Sequence, residues 1–417
     1  MEEENRFLKG IIIGVLTTVM VMLILLGIGI GTEYVTIGRQ ELSLDELVSS
    51  ATNDETDKEL IKNATSKLNS ILKIMDTYYL EEYDREKMLD GMLAGMLASV
   101  GDPYTAYYDE ESYANLMESS EGVYYGIGVV VSQNIETGEV YVVNPYKNCP
   151  GEEAGMLPGD IIYSVAGVQV TGMDLNEVVA MIRGESGSKV DVEVIHEGSS
   201  EPVKLAVERR QIEVQTVEWE VLENNIGYIQ ITQFDDVTTQ QFKDGMEELK
   251  KQGIKGLIVD LRDNPGGSLS TVLNILDMLL PKGIYTYLVD KNGNREDYKG
   301  YHAATYDYPM VVLVNENSAS ASELFTGAVH DYEKGMIVGT KTFGKGIVQQ
   351  IFSLKDGTGV KVTMAKYYTP NGVCIHKTGI EPDVFVELDE GEYPSRIDYE
   401  DDEQLQKAVE IIKTKME

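Results

Sequence analysis

Apolar and polar residues change their spacing repeatedly along this chain. From Ile11 to Ile30 it reads IIIGVLTTVMVMLILLGIGI, about twenty residues without a charge, enough as a helix to cross a hydrocarbon core of roughly 30 Å. Residues 32 to 55 are polar and acidic, the composition of a spacer. Between Asp57 and Val100 the apolar positions recur at helical spacing: Leu60, Ile61, Leu68, Ile71, Leu72, Ile74 and Met75, then Met88, Leu89, Met92, Leu93, Met96 and Leu97. Gly101-Asp102-Pro103 stops the second of these helices. The methionine stripe reads as packing surface rather than as a ligand set. The helical pair is therefore expected to pack on another surface or to dimerise.

From Gly122 to Arg210 the period shortens to two. Gly126 to Val131, Val140 to Val143, Val190 to His196 and Val203 to Val207 read as strands, and Leu175 to Ile182 as a short amphipathic helix. About 90 residues with many strands and one or two helices is the size of a peptide-binding module. Strands and helices then alternate from residue 211 to 385. Gly227–Ile231, Gly256–Leu261 and Met310–Val314 are strand-like, with helices over 239–252, 269–280 and 322–330. Such alternation predicts an α/β domain with a largely parallel sheet. Residues 387–402 are strongly acidic, and Leu405 to Ile412 closes the chain as a helix.

At 417 residues the chain is long enough for two or three domains. Its 70 acidic and 35 basic residues leave a net charge of −35, a field that repels nucleic acid. Neither Cys149 and Cys374 nor His196, His302, His330 and His376 follow a metal-binding spacing. No metal and no cofactor are expected. Arg6 and Lys9 precede the apolar run while Arg39 follows it, favouring an N-in, C-out anchor. A cleaved signal peptide is the rival reading, although no small-x-small site follows before Thr32-Glu33-Tyr34. Either way, the chain beyond residue 32 is expected outside the cytoplasm.

Two strand-to-helix junctions carry candidate chemistry. In Leu261-Arg262-Asp263-Asn264-Pro265-Gly266-Gly267, the glycine pair can turn sharply and present N–H groups to an anion; an ordinary turn is the plain alternative. In Asn315-Glu316-Asn317-Ser318-Ala319-Ser320-Ala321-Ser322-Glu323, small residues would let a carbonyl approach a serine at a helix N-terminus. Simple capping by Ser320 or Ser322, with Glu323 in the first turn, explains the same pattern.

A serine hydroxyl needs a base to become nucleophilic. His330 is ten residues beyond Ser320, about 15 Å along the helix. Lys345, between glycines in Gly339-Thr340-Lys341-Thr342-Phe343-Gly344-Lys345-Gly346-Ile347, is the better placed base, with Lys341 left on the surface. Its pKa would have to fall from about 10.4 by two or three units, which requires desolvation and no carboxylate alongside.

At these residues the chain resembles the carboxyl-terminal processing peptidases, or tail-specific proteases. The motifs are Ser-Ala-Ser-Ala-Ser-Glu and Thr-Phe-Gly-Lys-Gly-Ile-Val-Gln, and the likeness covers roughly residues 57 to 415. The resemblance implies Ser320 as nucleophile, Lys345 as general base and Gln349, one helical-turn spacing later, as its support. Oxyanion donors would be the N–H groups of Ala321 and of Gly266 or Gly267, with no choice between the glycines. Where the family usually carries a glutamine in the helix, His330 stands here. The implied PDZ domain would hold a substrate's free α-carboxylate at Tyr125, Gly126, Ile127 and Gly128 while the peptide pairs with a strand edge. A glycine-softened strand without a ligand is the alternative there. Arg183, just after the domain's helix, reads as a surface arginine or as one facing the protease core.

The implied architecture is a ClpP/crotonase-like α/β protease core with an inserted PDZ domain, an N-terminal helical segment and a transmembrane helix. Expected boundaries are a cytoplasmic N-terminus over 1–10, a signal-anchor over 11–31, a linker over 32–56, a helical region over 57–117, the PDZ domain over 118–209, the peptidase core over 210–386, and the acidic tail with closing helix over 387–417. The implied function is a membrane-bound serine endopeptidase that cleaves proteins near free, apolar C-termini. A homodimer is compatible with the helical pair. The rival functions are a catalytically idle PDZ scaffold and a small-ligand carrier on the same fold.

Overall fold

The computed structural model describes residues 55–134, 137–388 and 401–416. The expected anchor, the expected linker up to residue 54 and most of the acidic tail lie outside them, and the first helix begins two residues inside the expected linker, at Glu55. Among the described residues, no helix is long and apolar enough to cross a membrane.

The chain forms two compact units, one of residues up to Glu111 with Val348–Met364, the other of Ser112–Ile347 with Ala365–Glu417. In the first, helices Glu55–Tyr78 and Arg85–Ala98 stand where the sequence predicts a helical pair. Asp84 caps the second by accepting from Glu86 and Lys87 N–H at 2.9 and 3.2 Å. Asp76 joins the two helices by accepting from Tyr83 and Arg85. Strand Ala106–Tyr108 pairs antiparallel with residues 359–361 of strand Gly359–Tyr368. Tyr107 ties that strand to the second helix by donating to Asp90 at 2.8 Å.

In the second unit, the predicted strand-rich zone is an antiparallel sheet ordered Val129–Gln133, Val140–Pro145, Ile161–Val165, Lys189–Ile195, Val203–Glu208. Its alternating inward residues (Val140, Val142, Val190, Val192, Val194) meet Val178 and Ile182 of helix Leu175–Ile182 in one core. The strand expected over Gly126 to Val131 is broken in two. Gly128 has φ of 72°, and a Cβ there would lie 2.4 Å from the Cβ of Cys149. Only glycine accepts that bend. Val123–Gly126 therefore leaves to pair with Arg210–Glu213, while Val129–Gln133 starts the module's sheet.

The α/β zone is a six-stranded sheet ordered Val217–Leu222, Ile226–Ile231, Gly256–Asp260, Met310–Val314, Gly335–Gly339, Val384–Phe385. Its first pair is antiparallel and the rest are parallel. Gly256–Asp260 and Met310–Val314 are buried along their whole length, as strands covered on both faces must be. Helix Glu403–Met416 seals one face: Leu405, Ala408, Val409 and Ile412 pack on Ile226, Ile258, Val311, Leu313 and Val338. Helices Thr238–Lys251, Leu269–Leu279 and Ala321–Asp331 supply the connections. Both candidate junctions lie at carboxyl ends of neighbouring parallel strands, where such sheets collect functional groups.

Candidate active site

The two junctions are stitched to each other by their own side chains. Asn264 Nδ2 donates to Ile231 O and its Oδ1 accepts Gly266 N–H, both at 2.8 Å. The Asn264 carbonyl accepts Ala319 N–H at 3.0 Å and the Ser322 hydroxyl at 2.9 Å. Ser318 Oγ donates to Leu261 O at 2.8 Å, and Asp263 Oδ1 accepts from Asn315 and Asn317. Gly266 packs so tightly that a Cβ would lie 2.7 Å from both Ser320 Cβ and Ala319 O. Gly266 O accepts from Phe234, and Ser268 donates to Phe234 O. In that parallel bridge the Gly267 N–H points away from the Phe234 strand, whereas the Gly266 N–H is already donated to Asn264.

Ser320 is the N-cap of helix Ala321–Asp331, with φ 55° and ψ −112°. A serine in that region is strained, and such strain persists only where the surroundings enforce it. One enforcing group is Glu323, whose side chain is fully buried. Its Oε2 accepts Ser320 N–H at 3.0 Å and Lys345 N–H at 2.7 Å. Its Oε1 accepts Gly344 N–H and Thr342 Oγ1–H, both at 2.7 Å. Burial pushes the Glu323 carboxyl above its usual range, and these four donors pull it part of the way back. Tyr367 closes the other side, with its hydroxyl 2.7 Å from Ser320 O and 2.5 Å from Lys345 O.

The structure thus brings Ser320, Ala321, Gly266 and Lys345 to one place, with Lys345 half-buried. The Glu323 carboxyl meets Lys345 at its backbone N–H. The loop around this lysine has backbone donors to satisfy, and Glu323 satisfies them. His330 is exposed at the far end of its helix, near Asp331 and Asp383, which removes it as a base for Ser320. Lys341 is exposed and paired with Glu381 at 2.7 Å. Gln349 lies in the first unit on strand Ile347–Ser353, not on a helix, and its Nε2 is 3.4 Å from Thr363 Oγ1. Ile347 and Val348 are β-branched and favour that strand over the helical spacing expected.

In the peptide-binding module, Val129–Gln133 is an edge strand. Ile127 points into the core, and its carbonyl accepts Gly151 N–H at 2.7 Å. Gly126 and Gly128 are buried beside it, while Tyr125 is exposed on the preceding strand and lines a cavity of about 580 Å³ with Arg183 and Glu118. Arg183 pairs with Glu118 of helix Glu110–Glu121 and covers the Tyr124 ring at 4.9 Å. Cys149 and Cys374 are free thiols. Among the described residues, no cluster of His, Cys, Asp and Glu is grouped to hold a metal ion.

Glu323 and Tyr367 build the site, yet the pattern of the sequence singles out neither for it. Glu323 reads there as a first-turn acid, and Tyr367 as a strand residue.

Comparison with known proteins shows the family of the chain. The model of peptidase family S41 matches residues 225–386, a PDZ domain model matches 141–195, and the "Activating protease CtpB N-terminal domain" model matches 26–112. The chain is 40% identical over 323 residues to the carboxy-terminal processing protease CtpA of Bacillus subtilis, covering 77% of this chain and 69% of that one. It is 35% identical over 357 residues to CtpB of the same organism, covering 85% and 74%. A putative S41 protease from Bacteroides fragilis has the same fold, with a TM-score of 0.52 at 18% identity over 81% of this chain and 93% of that one.

Proposed function

Because the chain belongs to peptidase family S41 and is a serine-type carboxy-terminal processing protease, we propose that Ser320 and Lys345 are its catalytic dyad. The observation that carries this reading is the shared anchoring of the two residues: both N–H groups on Glu323 Oε2, both carbonyls on the Tyr367 hydroxyl. In the proposed reaction Ser320 Oγ attacks a peptide carbonyl while Lys345 Nζ takes its proton and returns it to the leaving amine. Water then releases the acyl group by the same route in reverse. The oxyanion is held by Ala321 N–H, at the start of its helix, and by Gly267 N–H. The engagement of Gly266 N–H by Asn264 favours Gly267 as that second donor. The parallel sheet with helical crossovers supports a ClpP/crotonase-like reading of the core.

The PDZ domain serves as the reader of the substrate's tail. Its open edge, Val129–Gln133 beside helix Leu175–Ile182, supports addition of an extended peptide as a further strand, with the Tyr125-to-Gly128 bend facing the terminal carboxylate. Exposed Leu60, Ile61, Ile71, Ile74, Met92 and Met96 on the two N-terminal helices support a homodimer through that surface. Residues 11–31 anchor the enzyme in the membrane with its catalytic part outside the cytoplasm, a reading that rests on their apolar sequence.

Mass spectrometry of apolar-tailed peptides with free and amidated C-termini tests the whole reading. The free tail is expected to be cleaved and the amidated tail to be cleaved far more slowly. Ser320→Ala and Lys345→Ala are expected to abolish both. Cleavage at the wild-type rate by folded Lys345→Ala would remove the dyad, and a wild-type chain that cuts neither peptide and leaves Ser320 unlabelled by a serine-reactive phosphonate would be the idle scaffold.

A further inference from the structure

Tyr367 is the penultimate residue of strand Gly359–Tyr368, 2% exposed, with its N–H donated to Gly346 O at 3.1 Å. A phenol carries one proton, so Ser320 O and Lys345 O share it as a three-centre hydrogen bond. The two oxygens are thereby held within about 5 Å of each other. Ser320 O also accepts Leu324 N–H at 3.0 Å, which opens the helix, so the phenol takes its remaining lone pair. Burial pushes the Tyr367 hydroxyl well above its ordinary range and keeps it a donor.

Glu323 fixes the peptide plane before Ser320 and the plane before Lys345. With those anchors alone, Lys345 can still pivot about its own Cα, whereas the Leu324 N–H already holds the plane after Ser320. Gly344 and Gly346 flank Lys345 and offer no side chains to stop it. Tyr367 fixes the plane after Lys345. Both planes at both residues are then held, and so are the directions in which the two side chains leave the backbone.

We propose that Tyr367 is a positioning residue for the cleavage reaction: its hydroxyl holds the Lys345 loop in register with the strained backbone of Ser320, so that the amine stays aimed at the nucleophile. The proposal rests on reading Ser320 and Lys345 as the dyad.

The test is Tyr367→Phe in the full chain, assayed with a free-tailed apolar peptide beside Ser320→Ala and Lys345→Ala. With fold verified by near-UV circular dichroism, kcat is expected to fall about tenfold to a hundredfold while KM stays within about twofold. The acid limb of the kcat profile is expected to move up by about one pH unit, because a loosened loop admits water to the amine. Unchanged kcat and an unmoved limb, with both dyad variants dead, would overturn the role of Tyr367 alone. A live Ser320→Ala or Lys345→Ala would instead overturn the dyad beneath it. Where Tyr367→Phe does not fold, 3-fluorotyrosine at position 367 keeps the ring and strengthens the donor. It should move the limb the opposite way, and a limb that stays put counts against the proposal.

Discussion

Ser320 and Lys345 hang from the same two atoms. Their N–H groups meet at Glu323 Oε2, at 3.0 and 2.7 Å, and their carbonyls meet at the Tyr367 hydroxyl, at 2.7 and 2.5 Å. The residues are 25 positions apart in sequence, and no direct backbone hydrogen bond between them is needed to fix their separation. A strained serine and a glycine-flanked lysine become one rigid pair by sharing a buried acceptor and a buried donor.

Glu323→Gln should disable that arrangement with almost no change in size. One carboxylate oxygen becomes an NH₂ that must face either Thr342 and Gly344 or Ser320 and Lys345, all of them donors. A stability loss of about 2 kcal/mol is expected from the opposed buried donors. Misplacement of the site should lower kcat about a hundredfold. Urea denaturation and peptide cleavage measure the two, and a variant with wild-type kcat would show that the shared acceptor is dispensable.

Asp235 gives a pH dependence with a definite sign. It is 5% exposed, and burial pushes its carboxyl up to about 6, with Gln233 Nε2 donating to it at 2.8 Å and Asp236 adding a like charge. Between about pH 4 and 6 the folded state keeps a proton that the unfolded chain has released. Stability contributed by this group therefore falls as pH rises through that window. Asp235→Asn should be more stable than wild type at pH 7 by about 1–3 kcal/mol and equal to it below pH 4. Denaturation at the two pH values decides, and an Asp235→Asn that is weaker at pH 7 would reverse the account.

Arg262 predicts the opposite kind of loss. Its buried guanidinium donates to Asp260 at 2.6 and 3.0 Å, to Asp402 at 2.8 and 3.0 Å, and to Gln404 at 3.1 Å. Arg262→Met leaves two buried carboxylates without their cation, which should cost about 3–5 kcal/mol. Adding Asp402→Leu should recover part of it, since one stranded charge is removed. A single variant with an unchanged urea midpoint would mean that the network contributes little.

The sequence carries the scaffold in its periods. The buried runs at Gly256–Asp260 and Met310–Val314 and the glycine-rich turn around Lys345 mark where the chain must bring groups together, and they do. Glu323 is harder to see because its work is done 22 residues away, on backbone donors that no local spacing encodes. Tyr367 is hidden for the same reason: one aromatic on an alternating strand looks like packing, and only the fold aims its hydroxyl. Spacing misled in two places. A gap of four residues suggested a helical turn at Gln349 where β-branched neighbours make a strand, and a run of valines hid the positive-φ break at Gly128.

The docking of helix Glu403–Met416 also sets an order of events at the ribosome. Every strand of the α/β sheet is synthesised before Asp402 and Gln404, the residues that complete the shell around Arg262, two positions from Asn264 in the loop against Ser320. Until they emerge, Arg262 has Asp260 beside it but not its other two partners, and the face of Ile258, Val311 and Val338 is still open to water. Translation of the cleavage machinery and its maturation are thus separated in time.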